Sequence, residues 1–279
     1  MTHRVQCDES TLVALRDERL DTVDGAFAYG GGDDLHKANL RHRRRTRVDL
    51  KDSSGRARTL YMKRYGQESF SDALRRVLTY GWFTSPAGVE FANILAARAA
   101  DVATMEALIC GDDRTWKGHR RSYLIVSEVP GEALERIGQA FIDRHGLESD
   151  QVESMTIQLA MLVSHLHRAG YVHRDFYASH VFLDETEDGA ELYLIDLARM
   201  FHPRWRAFRW RVKDLGQLKY SMPPAWVAKH WDRFLSTYLA GIETRKSANH
   251  WGRAVSRRAG RMHRRADRKA AKQQQGEQT

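Results

Sequence analysis

The 279-residue chain has only two cysteines, Cys7 and Cys110, and no uninterrupted apolar run of the roughly 18 residues that a membrane-spanning helix needs. Two isolated cysteines provide neither a disulfide framework nor a metal-binding spacing, so we expect free thiols in a reducing compartment. The first twenty residues also lack the apolar core of a secretory signal. We therefore expect a cytoplasmic protein without a transmembrane segment.

Internal repeats, nucleic-acid-binding motifs and a Gly-x-Gly-x-x-Gly phosphate fingerprint are absent as well. Gly30-Gly31-Gly32 is followed by Asp33 and Asp34, whose carboxylates would repel phosphate, so we predict a plain turn there. The basic run Arg43–Arg45 either supplies positive charge or forms a solvated strand edge, and the solvated edge is the prediction. No nucleic-acid partner is expected.

The positive charge is concentrated at one end of the chain. Residues 244–279 carry 11 Lys and Arg against Asp267 and Glu277, which accounts for the whole net charge of +9. Three interpretations remain open for this tail: a solvated or disordered end, attachment to an anionic lipid surface, and nucleic-acid binding. Attachment to an anionic lipid surface is the functional interpretation that we carry forward, because no nucleic-acid motif accompanies the tail.

The order of predicted elements separates a strand-rich first half from a helical second half. Val129-Pro130-Gly131 breaks the pattern between them, and Asp150 with Glu153 resembles the capping box of a long helix that Gly170 ends. Ser85-Pro86 has the pattern of a helix N-terminus. Strands are expected at 43–50, 59–65, 105–110 and 122–128, and further helices at 71–79, 85–100, 205–220 and 226–239.

The most informative motif is His173-Arg174-Asp175, followed by a strand at 181–184, a tight hairpin, and Leu194-Ile195-Asp196. A short loop with one aspartate and a second aspartate at the end of an apolar strand are typical of protein-kinase-like phosphotransferases. We predict that Asp175 is the catalytic carboxylate, which orients the acceptor hydroxyl. Asp196 is predicted to hold the Mg²⁺ that bridges the phosphates of ATP.

Upstream residues complete this pattern. Lys63, on a predicted strand, is the candidate that neutralises the ATP phosphates, and Glu90, on the Ser85 helix, is its candidate ion-pair partner. Glu128 ends the strand before the break and is either an adenine-side residue or an ordinary surface glutamate. We therefore predict an α+β, bilobal, protein-kinase-like fold with an antiparallel sheet and one key helix in the N-lobe, and a mostly helical C-lobe. The predicted segments are an N-terminal extension (1–20), the N-lobe (21–129), the C-lobe (130–243) and the basic tail, flexible or helical (244–279).

Three further residues have open roles. His180 lies five residues beyond Asp175, where protein kinases place a metal-binding Asn, and it binds metal, contacts phosphate or Asp175, or is structural. Arg174 is a catalytic-loop candidate with a structural or charge-balancing role. Asp214 either braces the loop from a helix or is a surface carboxylate.

Three stretches resemble the Kdo/heptose lipopolysaccharide kinase family, and in particular the lipopolysaccharide core heptose kinases. They are residues 173–183, with the His at position 180, residues 194–199, and residues 210–221, which contain Trp-Arg-x-Lys-Asp-Leu. Lys63 and Glu90 fall where that family has its ATP lysine and helix glutamate. The resemblance covers roughly residues 40–240.

The resemblance implies transfer of phosphate from ATP, with Mg²⁺, to a heptose or Kdo hydroxyl of a lipopolysaccharide precursor at the cytoplasmic face of the inner membrane. Three alternatives stay open. The chain could phosphorylate a soluble small molecule or a protein, it could be an ATP-binding pseudokinase, or its basic tail could make it a nucleic-acid-binding protein.

Overall fold

The computed structural model describes residues 2–35, 43–81, 84–115, 118–186 and 189–276. The chain divides into two compact units, Met1–Arg98 with Thr104–Val129 (unit 1) and Ala99–Ala103 with Pro130–Thr279 (unit 2). Each unit combines an antiparallel β-sheet with α-helices, so the predicted mixture of helices and antiparallel sheet is confirmed. Within these described ranges, no helix has a stretch both long and apolar enough to cross a membrane.

Unit 1 is built on a six-stranded sheet with the order β1-β5-β6-β4-β3-β2, in which every neighbouring pair is antiparallel. Its strands are β1 (Thr2–Val5), β2 (Asp33–Asp34), β3 (Arg43–Lys51), β4 (Ala57–Tyr65), β5 (Ala107–Thr115) and β6 (Gly118–Ser127). Its helices are α1 (Glu9–Asp17), α2 (Val23–Ala28), α3 (Phe70–Tyr80) and α4 (Pro86–Ala99).

The predicted β3–β4 hairpin is confirmed, and its turn shows why it forms. The Asp52 carboxylate accepts hydrogen bonds from the backbone amides of Ser54 and Arg56, both at 3.0 Å. Gly55 follows with a φ of 82°, a left-handed conformation that glycine adopts without steric cost. Hydrogen bonds from Ser54 and the neighbouring backbone hold the pKa of Asp52 below its ordinary value. This turn sets the register that places Lys63 on β4.

Residues 1–20, which we predicted as an extension, are part of unit 1. β1 pairs with β5, and Leu12, Leu15 and Leu20 belong to the buried apolar cluster beneath the sheet. The predicted cap of α4 is confirmed, since Ser85 Oγ accepts a hydrogen bond from the Gly88 amide at 3.0 Å. These three leucines are buried because the N-terminal segment covers one face of the sheet.

Unit 2 contains a three-stranded antiparallel sheet of order β7-β8-β9 and five described helices. Glu187 and Asp188, in the turn of the predicted hairpin, lie outside the described residues. The strands are β7 (Glu132–Ala133), β8 (Val181–Thr186) and β9 (Gly189–Leu194), and the helices are α5 (Leu134–His145), α6 (Asp150–Arg168), α7 (Ala207–Ser221), α8 (Pro224–Ala240) and α9 (Ala248–Gly276).

The core of unit 2 lies around α6 and α8. The indole of Trp226 on α8 is fully buried and donates a hydrogen bond to Thr156 Oγ1 on α6 at 2.9 Å. The N-cap of α6 is Ser149, whose Oγ accepts from the Val152 amide at 3.3 Å, and not Asp150. Asp150 is instead the first helical residue, where its charge still favours the positive end of the helix dipole.

The basic tail is helical through α9. Trp251, Val255 and Ala259 are buried and recur every four residues, which is the spacing of one helix face. Trp251 packs edge-on against Phe208 of α7, with ring centroids 4.7 Å apart. From residue 263 to residue 274 every side chain is exposed. The first half of α9 is therefore part of the fold of unit 2, and its second half is a solvated cationic helix.

Candidate active site

Lys63 and Glu90 are buried together inside unit 1. The ammonium of Lys63, on β4, donates a hydrogen bond to Glu90 Oε1 on α4, and the hydroxyl of Tyr65 donates to Glu90 Oε2. Lys63 and Tyr65 reach one carboxylate because residues two apart in a strand lie on the same face. The predicted contact between Lys63 and Glu90 is present, and its role in phosphate binding stays a prediction.

Arg43 of β3 adds a second cation to this carboxylate. Its Nη2 lies 3.7 Å from Glu90 Oε2, and its guanidinium lies over the ring of Tyr65, 5.2 Å from the centroid. β3 lies between β4 and β2, but β2 pairs only with Thr46 and Arg47. Arg44 is exposed, as predicted for a solvated edge, whereas Arg43 is partly buried beside Glu90. Two cations on one carboxylate leave this part of unit 1 net positive, which suits an anionic ligand.

Neither Glu128 nor the glycine run at 30–32 lies in a buried charged cluster like that of Lys63 and Glu90. Glu128 is exposed just after β6 and accepts a hydrogen bond from the Tyr61 hydroxyl at 3.1 Å, and burial together with this carboxylate raises the pKa of Tyr61. Gly32, with a φ of 78°, leads into β2, where Asp34 pairs with Arg44 at 2.7 Å and with Arg64 at 3.2 Å. The run 30–34 is thus a turn into a paired strand.

In unit 2, one face of α7 holds the loop that carries Asp175. Asp214 is fully buried, and its two oxygens accept the amides of His173 at 2.7 Å and Arg174 at 2.9 Å. Gln217 and Ser221 follow at positions three and seven along the same face. Their oxygens accept the amides of residues 176 and 178 at 3.3 and 2.8 Å. Of the two interpretations left open for Asp214, the structure shows the bracing of the loop.

His173 and His180 connect this loop to the strand end that carries Asp196. His173 is buried, and its Nε2 lies 3.0 Å from the carbonyl oxygen of Ile195, so this nitrogen carries the proton. The Ile195 amide in turn donates to the carbonyl of His180 at 2.9 Å. Burial lowers the pKa of His173, which keeps its imidazole neutral near pH 7.

Two residues of the site have a left-handed backbone although neither is a glycine. Arg174 has a φ of 74°, and Asp196 has φ and ψ of 60°. Such conformations cost about 1–3 kcal/mol each and persist where surrounding contacts impose them. For Arg174 the imposing contact is the hydrogen bond from its amide to Asp214. Strain of this kind is commonly found at functional sites.

The Asp175 carboxylate has two cations beside it. Arg199 Nη1 donates to Asp175 Oδ2 at 2.7 Å, and Lys213 Nζ lies 3.9 Å from Oδ1. Arg174, although adjacent in sequence, is directed elsewhere. Its guanidinium lies over the rings of Phe201 and Trp210, 5.2 and 5.6 Å from their centroids. The geometry therefore gives the charge-balancing position to Arg199 and Lys213.

His180 lies between the two predicted functional aspartates. Its Nδ1 is 2.7 Å from the carbonyl oxygen of Asp175, so Nδ1 carries a proton. Its Nε2 is 4.0 Å from Asp196 Oδ2. In the neutral ring, Nε2 then presents a lone pair on the side of the Asp196 carboxylate.

This arrangement could hold Mg²⁺ through only one or two protein ligands. Across the part of the chain that the structure describes, no three His, Cys, Asp or Glu side chains gather into a metal cage. Mg²⁺ usually takes one or two protein carboxylates and completes its shell with water and phosphate oxygens. Asp196 can supply such a carboxylate, and His180 is the weaker donor because hard cations prefer oxygen.

With this geometry in view, comparison with known proteins identifies the family. The model of the Lipopolysaccharide kinase (Kdo/WaaP) family matches residues 32–238, which is more than half of the chain. The chain belongs to this family. The predicted resemblance to lipopolysaccharide kinases is thereby confirmed, and residues 173–221, which carry its most specific motifs, lie within the matched range.

Two relatives in the Kdo/WaaP family add detail. The lipopolysaccharide core heptose(I) kinase WaaP of Pseudomonas aeruginosa is 31% identical over 159 residues, which are 54% of this chain and 58% of that protein. The match thus spans less than two thirds of the relative. A solved structure described as WaaP in complex with acyl carrier protein is 24% identical with a TM-score of 0.68, covering 96% of this chain and 99% of that one. At this identity the likeness shows the fold.

Four contacts of the site were missed in the sequence. Tyr65 was detectable, because it lies two residues beyond Lys63 on one strand. Arg43, Arg199 and Lys213 were visible only as members of basic runs or motifs. No local spacing indicates that Arg199 and Lys213 meet at Asp175. Arg199 lies in the turn after Asp196 and Lys213 lies on α7, so their contacts depend on how both segments pack against the loop.

Proposed function

We propose that this chain is an ATP-dependent kinase that phosphorylates a heptose or Kdo hydroxyl of the lipopolysaccharide inner core. The observation that carries the proposal is that a loop braced by Asp214 places Asp175 and His180 beside Asp196, which follows β9, in a chain of the Kdo/WaaP family. The finer description of the fold belongs to the same proposal. Unit 1 would be the N-lobe and unit 2 the C-lobe of a protein-kinase-like fold.

The residues of unit 2 perform the transfer in this proposal. Asp175 aligns the sugar hydroxyl and accepts its proton while the hydroxyl oxygen bonds to the γ-phosphorus of ATP. The bond from that phosphorus to the β–γ bridging oxygen breaks, and ADP leaves with the electron pair. Asp196, with His180, would hold Mg²⁺, which when bound neutralises charge on the phosphate oxygens. Most of the rate enhancement then comes from positioning and electrostatic stabilisation.

The residues of unit 1 bind the nucleotide in this proposal. The Lys63 ammonium neutralises the α- and β-phosphates, and Glu90 holds it on the correct side of β4. The excess positive charge from Arg43 favours the same anionic ligand. Glu128 remains the candidate on the adenine side, because it directly follows β6, shortly before the chain enters unit 2.

The catalytic assignment is tested with Asp175→Asn. We expect transfer of ³²P from γ-labelled ATP to isolated core lipopolysaccharide to fall by about 10²–10⁴-fold, as for loss of a general base, while ATP binding measured by calorimetry is retained. Asp143→Asn, an exposed carboxylate on α5, is the matched control. Retained transfer in the Asp175 variant would contradict the assignment.

The acceptor is tested in cells. Mass spectrometry of core oligosaccharide from cells with and without the gene should show one phosphate lost when the gene is absent. An unchanged oligosaccharide, with activity on a soluble sugar or protein instead, would support the alternative kinase function. ATP binding without turnover on any acceptor would support a pseudokinase.

We also propose that the second half of α9 binds the anionic surface of the inner membrane. Among the described residues of α9, Asp267 is the only carboxylate, against nine Lys and Arg side chains. Each basic residue near an anionic membrane contributes about 1 kcal/mol of attraction. Because Trp251, Val255 and Ala259 are buried in unit 2, this arm is anchored to the fold.

The membrane proposal is tested by neutralising the exposed cations at 264, 265, 268, 269 and 272 with glutamine. Cosedimentation with vesicles rich in phosphatidylglycerol should fall strongly at low salt, and purely zwitterionic vesicles should not bind either protein. Glutamine at residues 273–275 already extends the helix, so helicity should be retained. Equal binding of the glutamine variant and the wild-type chain to the vesicles rich in phosphatidylglycerol would contradict the membrane proposal.

A further inference from the structure

Lys213 has a partly buried ammonium that uses only one of its three donors in a described hydrogen bond. Its side chain is 21% exposed, and Nζ donates one hydrogen bond, to the carbonyl of Arg174. An ammonium has three donors, and the described contacts use one of them in a hydrogen bond. The nearest carboxylate oxygen, Asp175 Oδ1, is 3.9 Å away, beyond hydrogen-bond distance. Because the side chain is partly exposed, its other two donors are accessible to a bound ligand.

The side chains around Lys213 hold its ammonium next to the Asp175 carboxylate. The pKa of Lys213 lies below its ordinary value, chiefly because of burial. The Asp175 and Asp214 carboxylates oppose this shift, and Arg199 and Arg174 add to it. The ring of Trp210 lies 5.9 Å from Nζ and restricts the side chain on one side. The ammonium is thus held at one place, next to the carboxylate that is proposed to align the acceptor.

Neither of the neighbouring arginines can take this place in the same way. Arg174 is stacked over Phe201 and Trp210. Arg199 contacts the other oxygen of Asp175, but its side chain is 58% exposed and carries the conformational freedom of a surface arginine. Lys213 is the more buried of the two cations at Asp175.

A purely structural role for Lys213 does not account for its position. The amides of the loop are already held by Asp214, Gln217 and Ser221. The hydrogen bond from Lys213 to the Arg174 carbonyl adds little to that bracing, and it uses a charged group where a neutral donor would suffice. What the charge adds is an electrostatic effect at Asp175.

We propose that Lys213 is a catalytic residue that hydrogen-bonds the phosphoryl group during its transfer from ATP to the hydroxyl aligned by Asp175. The inference rests on the proposed kinase function. As the acceptor oxygen bonds to the γ-phosphorus and ADP departs, negative charge is redistributed over the phosphoryl oxygens. The two remaining Lys213 donors meet that charge. Because Nζ lies 3.9 Å from Asp175 Oδ1, one oxygen placed beside the two atoms can lie within hydrogen-bond distance of both.

The test uses the full chain with Lys213→Gln, which removes the charge and keeps a donor for the Arg174 carbonyl. Lys219→Gln is the matched control, because Lys219 lies on the same helix, is partly buried with a pKa lowered by burial, and donates to Ser256 Oγ at 3.1 Å. Three quantities are measured: kcat for phosphate transfer to core lipopolysaccharide, the affinity for ADP, and the affinity for ADP with aluminium fluoride, which mimics the transferring phosphoryl group.

We expect Lys213→Gln to lower kcat by about 100-fold or more, as for loss of one preorganised donor. It should weaken binding of the aluminium fluoride complex to a similar degree and leave ADP affinity unchanged. Lys219→Gln should leave all three quantities unchanged. Lys213→Met, checked for folding by circular dichroism, gives the same readout if the Gln variant does not fold.

Transfer and aluminium fluoride binding close to wild type in the folded Lys213 variants would overturn the inference while the proposed function stands. A wild-type chain that binds nucleotide but does not phosphorylate core sugars would refute the proposed acceptor, and the aluminium fluoride measurement would still decide the role of Lys213. A wild-type chain that binds no nucleotide would overturn both.

Discussion

At the scale of single residues, the candidate site depends on how buried polar groups are paired. Asp214 illustrates this, because one buried carboxylate satisfies two backbone amides of the loop and approaches the imidazole of His167 at 3.4 Å. The loop holds Asp175 in place only while that carboxylate remains a pure acceptor. The sequence indicated that Asp214 is a candidate to brace the loop. The structure shows that its buried carboxylate holds the loop by two backbone hydrogen bonds.

We predict that Asp214→Asn lowers the free energy of unfolding by about 2 kcal/mol, the loss expected for hydrogen bonds to a charged acceptor. The amide of Asn would direct donors at groups that are themselves donors. Urea unfolding followed by tryptophan fluorescence measures the change. Asp232→Asn, an exposed carboxylate on α8, should stay within about 0.5 kcal/mol of wild type, and an equal effect of both variants would contradict the bracing role.

Two buried histidines predict how stability depends on pH. Burial lowers the pKa of His167 and of His173 below the ordinary value of 6.5, although Asp214 raises both. Below about pH 6.5 the unfolded chain therefore binds more protons than the folded one, and acid destabilises the fold. The stability gained from keeping these imidazoles neutral is present in full above pH 6.5, and it is lost as the pH falls toward the pKa of the folded state.

We accordingly expect unfolding free energies measured from pH 7.5 to 5.5 to decline less steeply in His167→Gln than in wild type. The difference should approach about 1.4 kcal/mol per pH unit, the limit for one proton. His165→Gln, on the same helix and partly exposed, is the control. Parallel profiles for wild type and His167→Gln would rule out this linkage.

At the scale of elements, α7 works with two faces. Asp214, Gln217 and Ser221 hold the loop, and Gly216 faces α9. A Cβ at Gly216 would lie 2.4 Å from Arg258 Cγ and 2.8 Å from Arg258 Cβ, too close for the two helices to keep their separation. The glycine next to the brace is thus explained by helix packing. Gly252 of α9 is different, since a Cβ there would meet only Leu235 Cδ2 at 3.7 Å.

These two glycines should respond to alanine with opposite signs. Gly216→Ala gains helix propensity but forces α9 outward, and we expect a net loss of about 1 kcal/mol in unfolding free energy. Gly252→Ala creates an ordinary contact, and we expect a gain of up to about 1 kcal/mol. Both are measured by thermal and urea unfolding. Stabilisation by both substitutions would show that α7 and α9 are not in close contact.

At the scale of the whole molecule, the basic tail combines two roles along one helix. Trp251, Val255 and Ala259 seal unit 2, and the cationic residues beyond them are exposed. Truncation after residue 243 should therefore lower the unfolding free energy by about 5 kcal/mol, since it removes a buried Trp and Val. Truncation after residue 263 should leave stability near wild type and remove half of the exposed Lys and Arg residues of the tail. Equal stability of the two truncated chains, measured by urea unfolding, would mean that α9 does not seal the unit.

The sequence by itself determined the features that are local or contiguous. The loop with Asp175, the strand end with Asp196, the β3–β4 hairpin and the Ser85 cap depend on spacing within a few residues. Family membership follows from the same stretches. These predictions held because hydrogen bonding and periodicity over short distances are encoded in neighbouring residues.

Only the tertiary structure decided which distant residues meet. It brought Arg199 and Lys213 to Asp175, directed Arg174 to an aromatic pair, and placed Arg43 beside Glu90 on an interior strand. It also incorporated the first twenty residues into the sheet and core of unit 1. Each of these contacts depends on which apolar surfaces cover one another, and that is a property of the packed chain, which no local spacing encodes.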